Sequence, residues 1–156
     1  MPEPPFERIV VAIDGSESAS VAVKVACDLA KRYGSELLVL AVAPLPAVYA
    51  APGEPFVPPT IPENPVPHYR QLVEAAVETA QAAGVESVTG VCEEGAVVEE
   101  ILQHLDPNPP DLLVVGSRGL SVAKRFLLGS VSSALVNRAP CPVLVVRAKI
   151  TPPAGA

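Results

Sequence analysis

The 156-residue sequence predicts a single-domain α/β fold, an open parallel sheet with helices on both faces. Short, nearly continuous apolar runs recur along the chain, the pattern of strands buried on both sides. Segments of helical periodicity separate them, and such alternation leads to parallel strands joined by right-handed crossovers. One run, Leu112-Leu113-Val114-Val115, passes into Gly116-Ser117-Arg118-Gly119, and Gly129-Ser130-Val131-Ser132 then opens an apolar helix. A glycine-rich loop therefore joins a strand end to a helix start.

The first expected strand is Arg8 to Ile13, broken by Asp14-Gly15-Ser16. Ser16 or Ser18 can cap the next helix, and Glu17 suits its positive end. That helix keeps Val21, Val25 and Leu29 at helical spacing to about Tyr33, with Gly34 as its stop. Glu36 to Val42 reads as a second buried strand. Residues 44–67 then hold Pro44, Pro46, Pro52, Pro55, Pro58, Pro59, Pro62, Pro65 and Pro67, a density that predicts a long loop with extended pieces. A helix follows from Tyr69 to Gly84, then a short strand over Ser87 to Val91. Gly95 is expected to open a helix carrying Val97, Val98, Ile101, Leu102 and Leu105, stopped by Asp106-Pro107-Asn108-Pro109-Pro110. After the glycine loop come a helix from about Val131 to Ala139 and a last strand, Val143 to Val146. The domain is expected over residues 1–150, with 44–67 as a proline-rich insert and 151–156 as a flexible tail.

Composition narrows the function classes. The net charge of −6 leaves no basic face for nucleic acid. Sparse aromatics and the lack of Trp leave no base-stacking platform. No apolar run reaches the length of a membrane span, and Met1 to Pro5 lacks the pattern of a secretory signal, so a cytoplasmic protein is expected. Cys27, Cys92 and Cys141 form neither a CxxC pair nor an even set, and read as reduced, buried or idle thiols. There is no G-x-S-x-G elbow and no HExxH helix. His68 and His104, the only histidines, suggest no paired cluster to hold a metal, so any metal is expected to arrive with phosphates.

A strand, a glycine loop and a helix start together make an anion site. The glycines let backbone N–H groups approach a phosphate, and the helix start adds unpaired donors and the positive end of its dipole. Ser130 and Ser132 add hydroxyls, or serve as simple caps. In parallel α/β sheets ligands bind beyond the carboxyl ends of the strands, where strand order reverses. Asp14 and Gly116 both lie just past such ends and flank one crevice if their strands are neighbours. Asp14 reads as a ligand acceptor or as a turn residue. Arg118, Lys124 and Arg125 form the most basic stretch; they could neutralise phosphate charge or be a solvated face.

At these residues the chain resembles the universal stress protein family, from about Phe6 to Arg147. The nucleotide-binding branch of that family carries Gly, two residues, Gly, nine residues, then Gly-Ser/Thr; Gly116, Gly119, Leu120 to Leu128 and Gly129-Ser130 fit it position by position. Ala12-Ile13-Asp14-Gly15-Ser16 and the closing Cys141-Pro142-Val143-Leu144-Val145-Val146 are similar to the family's first strand end and last strand.

The resemblance implies a five-stranded parallel sheet of order 3-2-1-4-5, the Rossmann-like form of the adenine nucleotide alpha hydrolases. It implies ATP as ligand, with AMP or cyclic AMP as alternatives and a Mg²⁺ or Mn²⁺ ion carried on the phosphates. Asp14 is expected at the ribose and Val42 and Val115 against the base. Gly116, Gly119, Gly129, Ser130, Val131 and Ser132 are expected at ribose and phosphates; Ala12, Ile13 and Arg118 complete the candidate set. The last strand is expected to pair with its copy in a homodimer. The function so implied is that of an ATP-binding sensor or switch in stress responses, without evident catalytic residues; slow ATP hydrolysis and docking of an unknown protein partner are the rival readings. The proline-rich insert is longer than the family pattern.

Overall fold

The computed structural model describes residues 5–45, 64–118 and 128–148. In chain order these form β1 (Arg8–Ile13), α1 (Glu17–Tyr33), β2 (Glu36–Pro44), α2 (Val66–Ala83), β3 (Ser87–Gly95), α3 (Val97–Leu105), β4 (Leu112–Gly116), α4 (Ser130–Arg138) and β5 (Val143–Val146). The sheet order is β3-β2-β1-β4-β5, with every pairing parallel. The expected alternation and order are both found.

The two-residue strand period sends alternate side chains to opposite faces, so each strand feeds two cores. Ile9, Val11, Leu37, Val39, Leu112 and Val114 pack under α1 and α2, with Ala22, Ala26 and Ala30 of α1 letting that helix lie close to the sheet. Val10, Leu40, Val42, Leu113 and Val115 pack on the other face with Ile101, Leu102 and Leu105 of α3 and Leu135 of α4. Across the surface of that second layer, Arg138 donates two hydrogen bonds to the Glu99 carboxylate at 2.9 and 3.1 Å. The guanidinium holds the Glu99 carboxyl below its ordinary pKa. Both groups are exposed, so the pair contributes little to stability.

Several boundaries differ from expectation. The helix expected to begin at Tyr69 starts at Val66, after Pro65 at the cap position and with Pro67 in its first turn. Proline is disallowed inside a helix, but first-turn N–H groups have no helical partner to lose. The proline-rich stretch therefore gives up its last residues to α2, and its first, Pro44, closes β2. Gly95 ends β3, and α3 begins beyond Ala96. Residues 46–63, Gly119 to Leu127 and the tail from Lys149 lie outside the described residues.

Candidate functional site

β1 and β4 are direct neighbours, with Ala12 opposite Val115. Their carboxyl ends therefore open side by side, and a small cavity of about 50 Å³ lies between them. Ala12, Ile13, Asp14, Val115, Gly116, Arg118, Val131 and Ser132 line it, together with Ser16 and Ala19. Eight of the twelve candidate residues thus meet at one place. Gly129 and Ser130 stand at its edge as the cap and first residue of α4. Val42 does not line the cavity; it is buried in the apolar layer it shares with Val115. Gly119 lies outside the described residues, as do Lys124 and Arg125.

The start of α4 is the polar wall of this cavity. Its first backbone helical bond runs from Ser133 N–H to the Gly129 carbonyl. The N–H groups of Ser130, Val131 and Ser132 therefore have no partner within the helix, and glycine at the cap supplies no side-chain acceptor. The positive end of the dipole stands at the same place, with Val131 and Ser132 in the cavity lining. α1 is different: Ser16 caps it by accepting from Ala19 N–H at 3.2 Å.

The hydroxyls are arranged otherwise than the sequence suggests. The Ser132 Oγ is buried and lies 3.0 Å from the Ser117 carbonyl and 3.1 Å from that of Gly129. Its single proton is therefore engaged by backbone, and in this arrangement Ser132 offers a ligand its N–H. The Ser117 carbonyl also accepts from Gly129 N–H at 2.7 Å, which ties the two ends of the glycine loop together. Asp14 accepts from Ser16 N–H through one carboxylate oxygen at 2.9 Å. Its second oxygen has no partner among the described hydrogen bonds. Arg118 is the cation of the lining.

The Asp14 charge reaches Tyr69 at the start of α2. Burial first, and that carboxylate second, push the Tyr69 phenol above its ordinary pKa. The three cysteines are free and stand apart from this cavity. Burial raises each thiol, which makes poor nucleophiles. A larger cavity of about 300 Å³ opens between α1 and α2 against Leu72, Ala75 and Thr79. It is mainly apolar, and the helix start in its wall, that of α1, is already capped by Ser16, so the anion chemistry belongs to the smaller one.

Ser16, Ala19 and Ser117 were not among the expected site residues. For Ser16 the signal was present, because a cap on the helix after β1 must sit beside Asp14. For Ser117 it was not, because its role is carried by its carbonyl.

A model described as the universal stress protein family matches residues 5–147. The chain belongs to the universal stress protein family. Among its relatives, universal stress protein YxiE of Bacillus subtilis is 35% identical over 150 residues, covering 91% of this chain and 99% of the relative. A universal stress protein encoded beside a sulfhydrylase gene in Thermus aquaticus is 37% identical, covering 91% and 99%. Among solved structures, a universal stress protein in complex with cAMP is similar to this chain with a TM-score of 0.66 and 30% identity, covering 91% and 97%. Among the described residues of this family member, no helix is long and apolar enough to cross a membrane.

Proposed function

We propose that this universal stress protein is a cytoplasmic, dimeric, ATP-binding sensor or switch of the stress response. The observation that carries the reading is the start of α4, which has no side-chain cap and whose Val131 and Ser132 line a cavity together with Arg118 and Asp14. Phosphates are the group this wall fits: backbone donors, a dipole and one guanidinium. Asp14, with an oxygen to spare, suits a ribose hydroxyl. Ala12 and Val115 suit the base, with Val42 in the same apolar layer.

The cavity of about 50 Å³ has room for one phosphate group. A nucleotide needs roughly 300 Å³ or more, so the remainder of the ligand extends outward from this floor. Among the described residues no group of three or more His, Cys, Asp or Glu could hold a metal ion. A Mg²⁺ or Mn²⁺ ion would accordingly ride on the phosphates. Among the described residues the lining provides no activated nucleophile, and the reading is of binding, with slow ATP hydrolysis as its rival.

Dimerisation is assigned to β5. It pairs with β4 along one side only among the described strands, and its own Leu144 stands exposed, as does Val136 of α4. Two copies meeting along Val143–Val146 would cover these residues and the open edge.

One observation favours a second reading. The relative solved with cAMP is 30% identical to this chain, so AMP or cyclic AMP is the alternative ligand. Calorimetric titration of nucleotide-stripped protein with ATP, AMP and cyclic AMP, with and without Mg²⁺, separates the two. Metal-dependent preference for ATP is the expected result. Preference for a monophosphate replaces ATP with the alternative, and no binding by any of the three contradicts both.

A further inference from the structure

We infer that Ser18 is the positioning residue of the phosphate loop: its side chain fixes the backbone of Arg118 where the chain leaves β4. The inference rests on the nucleotide-binding reading above. Ser18 lies in the first turn of α1 and is buried. The helix does not need its hydroxyl, because Ser16 already caps α1. Instead the Ser18 Oγ donates to the Arg118 carbonyl at 2.7 Å and accepts from the Arg118 N–H at 3.3 Å. One hydroxyl thus serves both polar groups of a single residue 100 positions away.

The bracket occurs where the sheet stops supporting the chain. The last described pairing of β4 with β1 is Val115 with Ala12. Beyond it, the side towards β5 is still held, by Ser117 N–H donating to the Val146 carbonyl at 2.8 Å. On the side towards β1 the backbone has run out of strand, and Ser18 takes over the partner's role. Gly116 makes this possible, since a Cβ there would lie 2.5 Å from the Ser18 Oγ. With Ser132 holding Ser117 from α4 and Ser18 holding Arg118 from α1, two buried serines set the direction in which the glycine loop departs. They also set where the Arg118 guanidinium begins.

The test compares wild type, Ser18→Ala and Ser20→Ala, measuring ATP by calorimetry and adenosine by NMR titration. Ser20 is a control from the same helical turn whose hydroxyl, among the described residues, bonds the Ser16 carbonyl. Loss of the two hydrogen bonds that position the loop is expected to weaken ATP about three- to tenfold while leaving adenosine unchanged, because adenosine has no phosphate for the loop to hold. Ser20→Ala is expected to bind both as wild type does. Unchanged ATP affinity in Ser18→Ala, or equal weakening of ATP and adenosine, overturns the inference, the latter because it marks a general role in folding. Wild type that binds neither ligand overturns the nucleotide reading itself. Should Ser18→Ala not fold, Ser18→Cys keeps the volume with a weaker donor and is judged by the same outcomes.

Discussion

Gly116 of β4 lies directly against Ser18 of α1, so close that a Cβ on Gly116 would sit 2.5 Å from the Ser18 Oγ and 2.7 Å from the Ala19 nitrogen. The neighbour is helix backbone as well as a side chain, and backbone cannot turn aside. The φ of Gly116 is not positive, so the demand here is for space alone.

Gly116→Ala is therefore expected to destabilise the protein by about 1–3 kcal/mol, with Gly116→Val worse. Urea unfolding followed by circular dichroism measures it. The sequence alone suggests that a side chain here blocks a phosphate; the structure adds that it also pushes α1 off the sheet. An alanine variant as stable as wild type would show that α1 has room to give.

Ser132→Ala removes the strut between α4 and the exit of β4. The Ser117 carbonyl keeps its bond from Gly129 N–H, so it loses one of two partners. A loss of about 1 kcal/mol is expected, seen as a fall in melting temperature of roughly 3 °C. ATP affinity should fall as well, since the strut ties the ends of the glycine loop. A variant melting and binding as wild type does would remove Ser132 from this role.

Stability should fall in alkali. Burial holds the Cys27 thiol above its ordinary 9.0 and Tyr69 above its ordinary 10.0. A group with a raised folded pKa keeps its proton in the fold after the unfolded chain has released it. Its contribution is complete below the unfolded pKa and is lost as pH rises through the folded one. Urea midpoints should hold level from about pH 7 to about pH 9 and decline above that. Tyr69→Phe should make the decline shallower. At neutral pH Cys27 should react with a thiol reagent only on unfolding. A midpoint that climbs above pH 9, or immediate labelling of Cys27, would contradict this account.

The order of elements was legible because strands buried on both faces, such as Leu112–Gly116, leave apolar runs too short for a helix and bounded by glycine and proline. The position of the candidate site was legible for a related reason: in a parallel sheet every strand's carboxyl end faces the same way, so Asp14 and Gly116 had to open on one rim. The contacts that shape the rim were not. Ser18 was readable only as a possible cap, because its partner Arg118 is 100 residues distant. Gly116 looked the same whether the close neighbour was a phosphate or α1. Pro67 argued against helix, yet it falls in the first turn of α2, where the missing N–H costs nothing.

The central claim is that the start of α4 holds phosphate, and amide NMR tests it most directly. On titration of ¹⁵N-labelled protein with ATP and Mg²⁺, the account predicts the largest shifts at the N–H groups of Ser130, Val131 and Ser132, with Arg118 close behind. Shifts concentrated instead at Leu72, Ala75 and Thr79, around the cavity between α1 and α2, would contradict it.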